Sequence, residues 1–154
     1  MLVKMPKRLL ILGPSYRRNP DPNPLPAIER YDGIFYRIAR KYMPKDVDIM
    51  VMTNDLILID ADTPLPYKPP KGKTWGQMKI PREQIEKARK KNKEILDKKL
   101  KKGYSEIFLA MGKQYAEALP NLTRYDIKII FPATGGPGPK AKALKQWLLS
   151  IKSR

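Results

Sequence analysis

Short apolar runs that end at turn-forming residues recur four times along the chain. Runs of this length are typical of strands buried inside a sheet. We predict strands over residues 8–12, 47–53, 105–111 and 126–131, and we expect residues 56–60 to extend the second strand after a kink.

Between these runs, apolar residues recur at steps of three and four, which is the spacing of one face of an amphipathic helix. The first predicted helix ends before Pro44 and carries Ile28, Tyr31, Phe35, Ile38 and Tyr42. The second covers residues 82–102 and ends at Gly103, and a short third helix covers residues 113–122. The last helix presents Ala141, Leu144, Trp147, Leu148 and Ile151 on one face.

Strands that alternate with helices of this kind require right-handed crossovers, which place parallel strands side by side and helices on both faces. The chain of 154 residues has the usual length of one domain, and we find no internal repeat. The sequence therefore predicts a single α/β domain over residues 1–154. Its expected architecture is a three-layer sandwich, with a mostly parallel central sheet of about four to five strands flanked by helices.

Ligands of open parallel sheets bind beyond the carboxyl ends of the strands. The four segments in that position are polar and contain glycine or turn-forming residues, although any single strand-to-helix turn uses such residues. Together they predict a polar cleft lined by Ser15, Tyr16, Arg17, Thr53, Asn54, Asp55, Gly112, Lys113, Gln114, Tyr115, Gly135 and Gly136.

Gly135 and Gly136 precede the last helix, where free backbone N–H groups favour an anion. The segment matches neither GxGxxG nor GxxxxGK[ST], and Pro137 and Pro139 each remove a backbone donor. A phosphate site and a plain tight turn both remain open.

The composition excludes several kinds of chemistry, because the chain has no cysteine and no histidine. Disulfides, thiolate metal sites and Ser-His catalysis are therefore impossible. Asp60 and Asp62 would share a face of an extended segment and could hold a hard cation. Because exposed loop aspartates are common, we predict no metal and no cofactor.

The charge is the most unusual property, with 32 Lys and Arg against 15 Asp and Glu and a net charge of +17. A surplus of this size favours a polyanionic partner, and we expect it to lie on one side, near the glycine-bearing strand ends. The predicted nucleic-acid contacts in the second helix are Lys87, Lys90, Lys91, Lys98, Lys101 and Lys102. The alternatives are a solvated helix with Glu–Lys pairs and a lysine-rich, thermophile-like surface.

No apolar run approaches the roughly 18 residues that a membrane-spanning helix requires. The segment of residues 1–7 is too short for a signal peptide, so we expect a cytoplasmic protein without membrane contact. The oligomeric state is not set by any pattern in the sequence.

Three segments carry a resemblance to a known family: the strand followed by GPSYRR at 13–18, YDGIFYRIAR at 31–40, and LIDADTPLPY at 58–67. They resemble the small, mostly uncharacterised α/β proteins related to the peroxide-stress protein YaaA, whose domain looks related to one in archaeal tRNA-modifying enzymes. The likeness covers roughly residues 8–67, with a weaker echo at 108–115. It implies an α/β fold and a link to nucleic-acid maintenance or modification.

The chain also departs from that family. Members typically open with Ser-Cys-Ser-x-Lys and later carry Leu-Ser-Ala-x-Tyr-Gly-Leu before a proline loop. Ser15 and Arg17 stand where the later Ser and the Lys of the opening would stand, but the Cys is absent. The second motif of the family is matched in this chain by Thr53, Leu58, Asp60 or Asp62, and Tyr67. Its Ala-x-Tyr-Gly portion is replaced here by residues 54–57. An activity built on those positions would be lost here.

These observations favour a basic protein that binds RNA, DNA or a phosphate-bearing ligand. The alternative is an enzyme acting on a nucleotide, nucleoside or base in the strand-end cleft. Its candidate groups are Ser15, Arg17, Asn54, Asp55, Lys113 and Tyr115. A third reading is a structural partner in a larger ribonucleoprotein.

Overall fold

A computed structural model of the chain describes residues 7–70, 79–132 and 135–152. Within these ranges, the central sheet has five strands: β1 (Lys7–Leu12), β3 (Val47–Met52), β4 (Leu58–Asp60), β6 (Tyr104–Ala110) and β7 (Lys128–Ile130). Their order across the sheet is β4-β3-β1-β6-β7. Two short strands, β2 (Leu25–Pro26) and β5 (Pro64–Leu65), pair antiparallel in a separate ladder.

The central sheet is mostly parallel, as predicted. β1 pairs parallel with both β3 and β6, β6 pairs parallel with β7, and β4 alone is antiparallel to its neighbour β3. The prediction that residues 56–60 extend β3 is wrong. The chain reverses at Leu56, whose φ is 68° and whose N–H donates to the Thr53 carbonyl at 2.8 Å. Asn and Asp between these two residues favour such a turn, so β4 returns beside β3.

The helices are α1 (Ala27–Arg30), α2 (Ile34–Tyr42), α3 (Arg82–Lys99), α4 (Lys113–Ala116) and α5 (Pro137–Lys152). Short 3₁₀ turns cover Leu100–Lys102 and Leu122–Arg124. Gly103 ends the first of these with a φ of 85°, which confirms the predicted stop after α3. No helix in the described part of the chain is both long and apolar enough to cross a bilayer.

Two predicted helices are shorter than expected. The helix expected from Ile28 to Tyr42 is interrupted between α1 and α2, because the N–H of Asp32 donates to the Arg17 carbonyl at 2.9 Å. The backbone there pairs with the loop after β1 instead of continuing the helix. The helix predicted over residues 113–122 is limited to α4, and Pro120 follows in the tight turns after it.

Helices cover both faces of the sheet, which confirms the three-layer prediction. Leu9 and Ile11 of β1 belong to the core beneath α3, whereas Leu10 and Leu12 belong to the core beneath α2 and α5. This alternation follows from the two-residue side-chain period of a strand. All five apolar residues predicted for the last helix are buried, and all but Ala141 belong to the second core.

The carboxyl ends of β1 and β6 form the switch point of the sheet, since the chain leaves β1 towards β3 and leaves β6 towards β7. These two ends are packed directly together. The N–H of Gly13 donates to the Ala110 carbonyl at 3.0 Å, and a Cβ at Gly13 would lie 2.7 Å from the Cβ of Met111. Cavities at the carboxyl edge of the sheet therefore lie to one side or the other of the contact between Gly13 and the end of β6.

Candidate functional site

The loop after β1 forms one wall of a cavity of about 240 Å³, named here the β1-end cavity. Its lining consists of residues 14–17, residues 33–36 and Pro137. Ser15, Tyr16 and Arg17, which were predicted to line a strand-end cleft, all contribute. The cavity opens beside the start of α2, on the side of the sheet that α2 and α5 cover.

Three close contacts build this cavity. A Cβ at Gly33 would lie 2.5 Å from Ser15 Oγ, so the glycine lets the β1 loop pack against the start of α2. The buried Ser15 hydroxyl donates to the Arg17 carbonyl at 2.9 Å. The Tyr36 hydroxyl donates to the Gly13 carbonyl at 2.6 Å, and burial raises the pKa of Tyr36 well above its ordinary value, so this donor stays neutral.

Thr53, Asn54 and Asp55 line a different, smaller cavity of about 110 Å³, together with Arg18 and Tyr31. The predicted cleft residues that follow β1 and β3 are therefore divided between two cavities. The boundary falls between two consecutive residues of the β1 loop, since Arg17 lines the first cavity and Arg18 the second.

The smaller cavity contains a buried cationic donor. The Tyr31 hydroxyl donates to Asn54 Oδ1 at 2.7 Å, and burial is the main cause of the raised pKa of Tyr31. Arg18 lies over the Tyr31 ring and donates through Nη1 to the Lys68 carbonyl at 2.6 Å. Its buried Nε has no hydrogen-bond partner within the described ranges. A buried donor of this kind is suited to a water molecule or an anion.

Arg30, which the sequence analysis missed, holds the proline-rich loop beside this cavity. It is almost completely buried, with 1% of its surface exposed, and donates to the carbonyls of Asn19, Asp21, Asn23 and Leu65 at 2.5–3.2 Å. These partners are backbone atoms, so Arg30 acts as a structural clamp. No pattern in the sequence distinguishes it from the many surface arginines.

The predicted residues after β6 are not brought into either cavity. Gly112 precedes α4, and its carbonyl accepts from the N–H groups of Tyr115 and Ala116. Lys113 is exposed and Gln114 half-buried, while Tyr115 packs against the core beneath α3. Tyr115 lies near enough to Tyr31 to add to the raised pKa of that residue, whose main cause is burial.

Gly135 and Gly136 are exposed just before α5. Gly135 has a φ of 85°, which requires glycine in practice, and Gly136 is open enough that a Cβ would meet no atom within 4 Å. Through the neighbouring Pro137, this segment adjoins the β1-end cavity. Thr134, part of the same predicted loop, lies outside the described residues.

A second residue that the sequence analysis missed is Asn92, which is fully buried in α3. Its Nδ2 donates to the carbonyls of Leu56 and Ala118 at 2.8 Å, and its Oδ1 accepts from the N–H of Leu58 at 2.9 Å. It thereby fastens the turn after β3 to the segment after α4. The signal in the sequence is its position, since residue 92 falls in register with the apolar stripe of Ile85, Ala88 and Leu96.

The lysines predicted to contact nucleic acid form an exposed surface, named here the lysine face: Lys87, Lys90, Lys91, Lys98, Lys101 and Lys102. None of them forms an ion pair with another residue that the structure describes. Of the nearby acids, Glu86 pairs with Arg82 at 3.4 Å and Asp97 accepts from the Tyr125 hydroxyl at 2.6 Å. The expected Glu–Lys pairs do not neutralise this surface.

α3, which carries Lys87, Lys90, Lys91 and Lys98 of the lysine face, covers the side of the sheet opposite to α2 and α5, where the β1-end cavity opens. The six lysines predicted to contact nucleic acid therefore do not gather beside Gly135 and Gly136, which precede α5. Lys87 and Lys91 of the lysine face reach the strand-end edge, where they line a cavity of about 370 Å³ together with Asp55.

The aspartates considered as a cation site are engaged differently. Asp60 accepts from Lys99 Nζ at 3.0 Å, and it lines a cavity of about 550 Å³ that also contains Asp62, Lys102 and Arg40. Within the described ranges, no group of three or more acidic side chains is placed to hold a metal ion.

Comparison with protein-family models, curated proteins and solved structures found no match for this chain. The chemistry of these surfaces is therefore the basis for inferring a function.

Proposed function

We propose that this protein binds nucleic acid through phosphate contacts along the lysine face of α3. The observation that supports the proposal is a set of six exposed lysines without ion-pair partners among the described residues, in a chain of net charge +17. An ion pair within the protein would neutralise the charge of a lysine, whereas these six lysines remain available to an external polyanion.

The spacing of the lysines suits an extended partner. Lys87 and Lys98 are eleven residues apart within α3, close to three helical turns, so they point in nearly the same direction and lie roughly 17 Å apart along the axis. Lys90 and Lys91 lie near the first, and Lys101 and Lys102 follow the second in the 3₁₀ turn. A lysine ammonium contacts phosphate as a point charge, so this surface would bind a phosphate backbone without reading its sequence.

The salt dependence of binding tests this proposal. Neutralising phosphates releases counterions, and each contact contributes about 0.7–0.9 to the slope of log affinity against log salt. The variant K87Q/K91Q/K98Q/K102Q should lower the magnitude of that slope by about 3 for mixed-sequence RNA or DNA, measured by fluorescence anisotropy.

A matched control separates a binding surface from net charge alone. The variant K41Q/K45Q/K142Q/K145Q removes the same four charges from exposed positions outside α3. Its slope should change by less than about 1. Equal losses for the two variants, or a shallow slope for the unaltered protein, would refute a role for the lysine face.

The enzyme alternative receives less support from the geometry. Its candidate groups Ser15 and Arg17 line one cavity, while Asn54 and Asp55 line another. The Ser15 hydroxyl donates to a backbone carbonyl and is not paired with a base. The resemblance to YaaA-related proteins stays a hypothesis that agrees with a nucleic-acid role, and a cytoplasmic location stays a prediction.

A further inference from the structure

The β1-end cavity is an apolar opening that the side chains of the protein leave unfilled. Ile34 stands among its lining residues with 49% of its surface exposed. In the part of the chain that the structure describes, Leu149 is the other large hydrophobic residue with comparable exposure. Exposed apolar surface in a concave site marks ligand binding more often than isolated surface residues do.

The size and lining of the cavity select the kind of group that fits. Its volume of about 240 Å³ lies below the roughly 300–1,000 Å³ of sites for drug-sized molecules, so it accommodates one ring system. Tyr16 and Phe35 contribute aromatic surface, and Pro14 and Pro137 contribute flat aliphatic surface. Such side chains stack on a planar ring whatever its hydrogen-bonding pattern.

The surroundings of the cavity favour a negative charge on that ligand. No lining residue is acidic, and the exposed guanidinium of Arg17 forms no ion pair with a described residue. Asp32, next to the lining residue Gly33, is already held by Arg37 at 2.9 Å and Arg40 at 2.6 Å. Arg17 therefore remains uncompensated beside an apolar cavity.

We propose that the β1-end cavity binds a single nucleotide unit, with the base in the cavity and the phosphate outside it on Arg17. The choice of a nucleotide among anionic ring compounds rests on the proposed nucleic-acid function. A free nucleotide and a nucleotide within a single strand present the same chemistry to this site. Because no residue of the lysine face lines this cavity, the two sites can be altered independently.

The test is an NMR titration of the full-length ¹⁵N-labelled protein with the four nucleoside 5′-monophosphates, the matching nucleosides and inorganic phosphate. At least one monophosphate should shift the amide signals of residues 34–36 and bind at least tenfold more tightly than its nucleoside or phosphate alone. Arg17→Gln should bring the affinities for nucleotide and nucleoside within twofold of each other. If a pentanucleotide shifts the same amide signals at a lower concentration than the monophosphate, the ligand of the cavity is a nucleotide within a single strand. If it does not, the ligand is a free nucleotide.

Ile34→Glu places a carboxylate in the cavity lining, and Leu149→Glu makes the same change at the other exposed apolar position, away from the cavity. The first should weaken mononucleotide binding at least tenfold and the second less than twofold. Absence of shifts at residues 34–36 with every monophosphate, or equal effects of the two variants, overturns the inference. If polymer binding still depends on the lysine face in that case, the proposed function survives alone. If mononucleotides bind the cavity while polymer binding ignores α3, the proposed function fails and the cavity assignment stands.

Discussion

Asn92 provides a sharp test of how the strand-end loops are held. Replacing it by leucine keeps a side chain of similar size in the buried stripe of α3 but removes three hydrogen bonds. The carbonyls of Leu56 and Ala118 and the N–H of Leu58 would then lose their partners. All three of these residues are buried, so water has little access to the freed groups.

The size of the effect follows from these three groups. A buried polar group without a partner costs about 1–3 kcal/mol, which gives an upper range of about 3–9 kcal/mol. The apolar side chain of leucine returns about 1–3 kcal/mol through burial. We therefore expect Asn92→Leu to lower the free energy of unfolding by about 3–5 kcal/mol, a large part of the 5–15 kcal/mol typical of a domain.

Urea denaturation followed by circular dichroism measures this change. Lys93→Leu, at the next and exposed position of α3, is the control and should change the free energy of unfolding by less than about 0.5 kcal/mol. Hydrogen exchange adds a local readout, because the Leu58 amide should lose protection in the Asn92 variant. A loss below about 1 kcal/mol with an unchanged denaturant slope would show that other partners satisfy the three groups.

Two further predictions concern the start of α2. The hydrogen bond from Arg37, followed by that from Arg40, lowers the pKa of Asp32 below its ordinary value of 3.8. Its stabilising effect is therefore complete above that value and is lost as pH falls through the lower folded pKa. Asp32→Asn should accordingly cost up to about 1 kcal/mol at pH 7 and progressively less as the pH falls below 3.8; a cost in urea melts that does not decrease in acid would contradict this. Gly33→Ala should destabilise the protein by about 1 kcal/mol in the same melts, because its Cβ meets Ser15 Oγ, and Ser15→Ala should relieve part of that cost; strictly additive effects would show that the contact is unimportant.

Local patterns in the sequence were enough to determine the type and order of most elements and the residues of the core. The stripe that includes Leu144 and Trp147 is buried as its spacing predicts, and Gly103 ends the preceding turn in a left-handed conformation. Period and turn chemistry act over a few neighbouring residues, and burial selects the same apolar face whatever the partner. The exposure of the lysine face could be predicted for the same reason, because the apolar stripe of α3 is narrow and the lysines lie outside it.

The tertiary structure alone decided where the strand-end residues meet. The helix break before Gly33 depends on the bond between Asp32 and the Arg17 carbonyl, and the roles of Arg30 and Asn92 depend on carbonyls up to 36 residues away in the chain. The order of the strands then divided the loops after β1 and β3 between two cavities. It also placed α3 and its lysines on the side of the sheet opposite to α2 and α5. Contacts between distant segments are set by how elements pack, and neither periodicity nor composition encodes which loops become neighbours.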